Sequence, residues 1–171
     1  MRRGSLAIGA ALLVLAALAA GPAAVGGSTP KLLEFQSMTG LPTAFTGTQL
    51  PIRGINGGGL PWVIGSAKGE ISVGGRLELS VRHLVIDPTD PTAISRGVAG
   101  TNPSATFRVV VSCLTASGAT ANVMSAPFPA TTGVDGGDGA IETQLSLPSP
   151  CIAPLVFVTS PGGAWFASTG G

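Results

Sequence analysis

Charge is what this chain has least of: Asp, Glu, Lys and Arg together make up 10% of its 171 residues, against about a quarter in an average globular domain. So few cations cannot assemble the basic stripe that tracks phosphates, which argues against nucleic acid as a partner. Tyrosine is absent, and two tryptophans and six phenylalanines are the whole aromatic complement. Few rings are therefore available for a base or a pyranose to stack on. His83 is the only histidine, and Cys113 and Cys151 are the only cysteines. A tetrahedral zinc site wants four such ligands, and any Ser-His-Asp arrangement would have to use His83.

Helical periodicity is also missing beyond the N-terminal segment, where glycine or proline interrupts the chain every few residues. No serine is framed as Gly-x-Ser-x-Gly, and there is no phosphate-cradling Gly-x-x-x-x-Gly-Lys. Gly57-Gly58-Gly59 lacks the spacing and the following helix of a dinucleotide fingerprint. No catalytic residue is assigned, and the expectation is a protein that is not an enzyme.

What the chain does have begins at its N-terminus. Arg2 and Arg3 precede an apolar run of 15 residues from Leu6 to Ala20, followed by small residues and Gly21-Pro22. This is the three-part layout of an export signal. A bilayer-spanning helix needs about 20 apolar residues, so the run predicts a cleaved leader, with a retained anchor as the alternative. The leader is expected over 1–26, with the cut between 19 and 28, and a single domain over 27–171. No cysteine lies near the cut to carry a lipid, and Ser5 stands where a twin-arginine signal prefers an apolar residue, which favours general secretion. The Gly- and Ala-rich leader suits an exported bacterial protein. The expected location is outside the cytoplasm, secreted or in the cell envelope, with no membrane association once the leader is gone.

Removing the leader takes away two cations. Seven basic residues then face eight acidic ones, a net charge of −1. In an oxidising compartment the two cysteines predict a disulfide. Closing a loop of about 39 residues constrains the unfolded chain by roughly 4 kcal/mol.

Apolar and polar residues alternate in three segments. Leu77, Leu79, Val81 and Val85 oppose Glu78, Ser80 and Arg82; Phe107, Val109, Val111 and Cys113 oppose Thr106, Arg108 and Ser112; Ile141, Thr143, Leu145 and Leu147 oppose Glu142, Gln144 and Ser146. His83 falls on the Leu79 and Val81 face. Leu155 to Thr159 suits a central strand covered on both sides. Shorter strands are expected at Leu33–Gln36, Trp62–Ile64, Glu70–Val73, Ala119–Met124 and Ala164–Ala167. Gly74-Gly75 and Ser117-Gly118 predict tight hairpins, and Asp87 to Pro103 and Pro127 to Gly139 read as long connections. The fold expected is all-β: one antiparallel β-sandwich of about seven to nine strands, of immunoglobulin-like, Greek-key or jelly-roll type.

Asp135, Asp138 and Glu142, around a glycine-rich turn, are the one constellation with ligand chemistry. Carboxylates so placed could wrap oxygen around Ca²⁺, although no named calcium loop matches and Asp-Gly pairs also serve as plain turn formers. Trp62 and Trp165 sit among apolar neighbours and read as packing residues. The functional expectation is an exported, non-catalytic β-sandwich with a structural or binding role toward a protein or polysaccharide surface. A calcium- or carbohydrate-binding module is the alternative, and no cofactor is otherwise expected.

Overall fold

The computed structural model describes residues 29–170, so the expected leader and its cut lie outside the described residues. In chain order the strands are β1 (Lys31–Phe35), β2 (Thr39–Gly40), β3 (Trp62–Ser72), β4 (Arg76–Ile86), β5 (Thr101–Asn102), β6 (Thr106–Leu114), β7 (Thr120–Met124), β8 (Phe128–Pro129), β9 (Gly133–Val134), β10 (Gly139–Gln144), β11 (Ile152–Thr159) and β12 (Trp165–Ser168). A 3₁₀ turn at Thr43–Phe45 and a short helix, α1 (Pro91–Ser95), complete the elements. One sheet has the order β1-β3-β4-β10. The other runs β2-β12-β11-β6-β7, with β8 also on β6, and β5 and β9 form a small ribbon. All strand pairings are antiparallel.

The chain is thus the all-β sandwich its alternation predicts. Two of its passages between the sheets run from β4 to β6 and from β10 to β11. These crossings lie side by side, because β4 neighbours β10 in one sheet and β6 neighbours β11 in the other. A strand returning beside an earlier one after an intervening hairpin is the Greek-key device.

Three hairpins share one turn. In each, a glycine closes a three-residue loop with a positive φ: Gly75 at 89°, Gly118 at 79° and Gly163 at 91°. Their N–H groups donate to Ser72 O, Thr115 O and Ser160 O at 2.9, 2.9 and 3.0 Å. A turn ending in a left-handed residue matches the right-handed twist of the strands it joins. The β3–β4 loop is therefore Val73-Gly74-Gly75, one residue longer than the Gly-Gly pair suggests.

The alternating segments fold as strands, with corrections at three places. Trp62–Ile64 and Glu70–Val73 merge into one strand, β3, which ends at Ser72, because Ser66, Ala67 and Lys68 pair across to β4 instead of breaking the ladder. The β10 strand stops at Gln144, short of the expected Leu147. In β4 the inward rhythm slips by one: Leu77, Leu79 and Val81 belong to the core, but then Leu84 and Ile86 do, while Val85 is buried outside that cluster. The slip falls at His83, at φ 54°: the register to β3 is unbroken across it, but Val81 faces Gly139 while Leu84 N–H donates to Gly137 O at 3.2 Å, so two residues of β4 bulge opposite Asp138. His83 therefore does not continue the Leu79 and Val81 face.

Between the sheets Trp62 of β3 stacks on Phe166 of β12 with ring centroids 3.9 Å apart, and Phe107 meets Phe166 edge-on at 6.0 Å. Both tryptophans are buried. The β11 strand is covered on both sides, as expected for a central strand, with Val156, Phe157, Val158 and Thr159 all fully buried. The 41–61 connection lies against its two neighbours, β12 and β6. Phe45 packs on Trp165 at 6.1 Å, Trp165 N–H donates to Asn56 O, and Arg53 Nη1 donates to Ser112 O at 2.8 Å. Cys113, buried near the end of β6, is bonded to Cys151 just ahead of β11, with Cα atoms 4.9 Å apart. The bridge clamps two neighbouring strands at one end of the domain and suits a non-reducing, extracytoplasmic setting.

Asp87 to Pro103 contains an element its composition hides. Asp87 Oδ1 accepts from Thr89 N–H at 2.8 Å, closing a turn. Asp90 Oδ1 accepts from Ala93 N–H at 2.8 Å and caps α1, with Pro91 in the first turn. An N-cap followed by proline is a helix start. Among the described residues no helix is long and apolar enough to cross a membrane.

Candidate functional site

The largest group of interacting charged side chains lies on the four-stranded sheet. At one end lies the β4 bulge, where Arg82 and His83 oppose Asp138. Asp138 Oδ1 accepts from the His83 main-chain N–H at 2.8 Å, and its Oδ2 stands 3.5 Å from Arg82 Nη1. A non-glycine residue at positive φ is uncommon and needs such external support. Gly137, at φ 82°, lets the opposite strand approach: a Cβ there would lie 2.1 Å from Leu84 O. His83 itself is half-buried, and it is tied into the bulge by its main chain.

Farther along the same face, strand register produces a row that no single segment announces. Glu34 pairs with Glu70, Glu70 with Glu78, and Glu78 with Glu142. Directly opposed residues have Cβ atoms about 4.5–5.5 Å apart, and like charges so placed repel. Two cations in the next row relieve them. Lys31 Nζ reaches Glu34 at 2.9 Å and Glu70 at 2.8 Å, while Arg76 Nη2 reaches Glu78 at 2.9 Å and Glu142 at 2.6 Å. The carboxylates hold both cations protonated above their ordinary range. For Lys31 the main cause is the hydrogen bond to Glu34, then that to Glu70; for Arg76 it is the bond to Glu78, then the charge of Glu142. The glutamate side chains remain 43–65% exposed, so water and salt screen the row. The four glutamates, with Gln36, Lys68 and Ser80, line a shallow groove of about 460 Å³.

This row escapes a segment-by-segment reading because alternation says only that each glutamate faces water. The signal was nonetheless present in the β3–β4 hairpin, where a three-residue loop sets Glu70 opposite Glu78 by counting alone.

The residues singled out for calcium are not brought together. Asp138 serves the bulge and Glu142 serves Arg76, while Asp135 stands exposed at φ 55° in the loop between β9 and β10. Among the described residues no three His, Cys, Asp or Glu side chains converge on a point that could hold a metal. The eight aromatic rings are likewise committed. Phe45 is half-buried and the other seven are buried, so none offers an exposed face to a sugar. The face presented to solvent is thus a shallow groove along a row of four glutamates, with Lys31 and Arg76 in the row beside it. No protein-family model, no curated protein and no solved structure matches this chain.

Proposed function

We propose that the protein is an exported β-sandwich with a structural or binding role outside the cytoplasm and no catalytic chemistry of its own. The observation that carries this reading is how its reactive side chains are spent. Both cysteines form the bridge, Asp138 holds a strand bulge, Asp90 caps a helix, and four glutamates share Lys31 and Arg76. Each of these groups supports the fold, and what remains for contact is the ladder face of the four-stranded sheet. Export is supported by the leader's layout and by the disulfide. A polar, salt-laced face suits reversible contact with a protein or polysaccharide surface in the envelope, since rim-type charges set specificity and on-rate more than affinity.

The test uses protein exported by its own leader and purified with the disulfide intact. It is expected to leave a broad panel of ester, glycoside and peptide substrates unchanged. It is also expected to co-sediment with the producing cell's envelope material, with less bound for the Glu70→Gln/Glu78→Gln variant. Turnover that disappears in His83→Ala overturns the reading, as does envelope-independent behaviour of both forms.

A further inference from the structure

The long sheet edges of this sandwich are not protected alike. On β1 the register shifts between Lys31 and Leu33, and Lys31 and Glu34 charge its surface. On β10, Glu142 sits in the middle of the strand. Bulges and edge charges are the usual devices that keep two edges from pairing. The β7 edge, Thr120-Ala121-Asn122-Val123-Met124, has no charge, no proline and no register shift.

Its hydrogen-bond phase is fixed at both ends. Thr115 N–H donates to Ala119 O and Ser125 N–H to Val109 O, each at 2.9 Å. Antiparallel alternation then turns the main-chain groups of Ala121 and Val123 toward β6 and those of Thr120, Asn122 and Met124 outward. These three residues are exposed, and among the described residues their main-chain N–H and C=O groups have no partner.

We propose that β7 pairs with the β7 strand of a second copy of this chain, antiparallel about a two-fold axis at Asn122, joining two sheets into one. A two-fold interface must be self-complementary, and this edge is. Asn122 meets Asn122 and Thr120 meets Met124 on both sides, each pair exchanging its main-chain hydrogen bonds. The strand is neutral, so no like charges meet, whereas the same arrangement on β10 would set Glu142 against Glu142. Met124, 42% exposed, gains apolar cover from the partner's Thr120. A peptide from a different protein would draw specificity from a charge or a side-chain pocket; the strand itself carries no charge, and a foreign strand that placed a side chain in the hollow beside Asn122 and Met124 would leave the chain monomeric in the test below. The pairing stands independently of the role proposed above, since an exported protein of any activity would pair through the same edge.

The test takes the full chain, exported and purified. Asn122→Cys places two thiols at a hydrogen-bonded pair, where Cα atoms lie about 5.5 Å apart, within disulfide reach. Mild oxidation is expected to give a covalent dimer for Asn122→Cys and none for Ala140→Cys on the β10 edge, with Cys113–Cys151 intact by mass spectrometry. Sedimentation of the unaltered chain is expected to show a concentration-dependent dimer. Thr120→Lys is expected to weaken it at least about tenfold with unchanged melting temperature, and Asn122→Lys, which also gives up the Asn122 Nδ2 bond to Arg53 O at 3.0 Å, to weaken it likewise with a lowered melting temperature. A chain monomeric to about 1 mM overturns the pairing, as does a dimer that neither lysine weakens, or equal crosslinking at both edges.

Discussion

Backbone geometry at single residues carries much of this fold's specificity. Two glycines at nearly the same φ separate conformational strain from steric contact. Gly118 at 79° has open space around a prospective Cβ, whereas Gly137 at 82° faces Leu84 main-chain atoms at 2.1 to 2.5 Å. Gly118→Ala is expected to cost about 1 kcal/mol, the left-handed penalty alone, and Gly137→Ala about 3 kcal/mol or more by forcing β4 and the Gly137 segment apart. Urea denaturation of the two variants measures both, and equal costs would mean the bulge tolerates displacement. Asp138→Ala removes the acceptor of the His83 N–H and is expected to cost about 1–3 kcal/mol by the same assay, with Asp138→Asn, which keeps an acceptor, losing less. Little of this is visible in the sequence. His83 reads there as one more member of an alternating face, because a bulge arises from the partner strand's length and not from the identity of the bulged residue.

At the level of elements, most strands are legible because apolar alternation is a direct image of a half-buried sheet. Two of the three hairpin turns are legible in Gly74-Gly75 and Ser117-Gly118, the third, closed by Gly163, emerges only in the fold, and α1 is written in Asp90-Pro91 for a reader who weighs caps above composition. Register is harder, since it depends on which strands meet; hence the glutamate row appears only once β1, β3, β4 and β10 lie side by side. Arg76→Ala leaves Glu78 and Glu142 adjacent without their shared cation. Its melting temperature is expected to fall below that of the unaltered chain, with the deficit at least halved between about 0.01 and 1 M salt, as the Debye length contracts from about 30 to 3 Å. A deficit indifferent to salt would assign it to lost packing of the arginine stem. The disulfide acts between elements: with a sequence separation of 38, reducing it is expected to lower stability by about 4 kcal/mol. Urea midpoints of oxidised and reduced protein read that difference directly.

For the whole molecule, the two sheets, the bridge at one end and the salt-laced face describe an object built to persist outside a reducing compartment. The disulfide pair and the all-β class were both legible from composition and spacing, because cysteine count and strand periodicity are global signals. The candidate face was not, since the sequence drew attention to Asp135, Asp138 and Glu142 as neighbours in the chain while the sheet assigns them to separate tasks. The central claim is that this sandwich works after export, with its cysteines joined. It is tested most directly by fractionating the producing cells and reading the protein's N-terminus and thiol state by mass spectrometry. An extracytoplasmic chain beginning between Ala20 and Thr29 with Cys113 linked to Cys151 is expected. A full-length chain in the cytoplasm with both thiols free would contradict it.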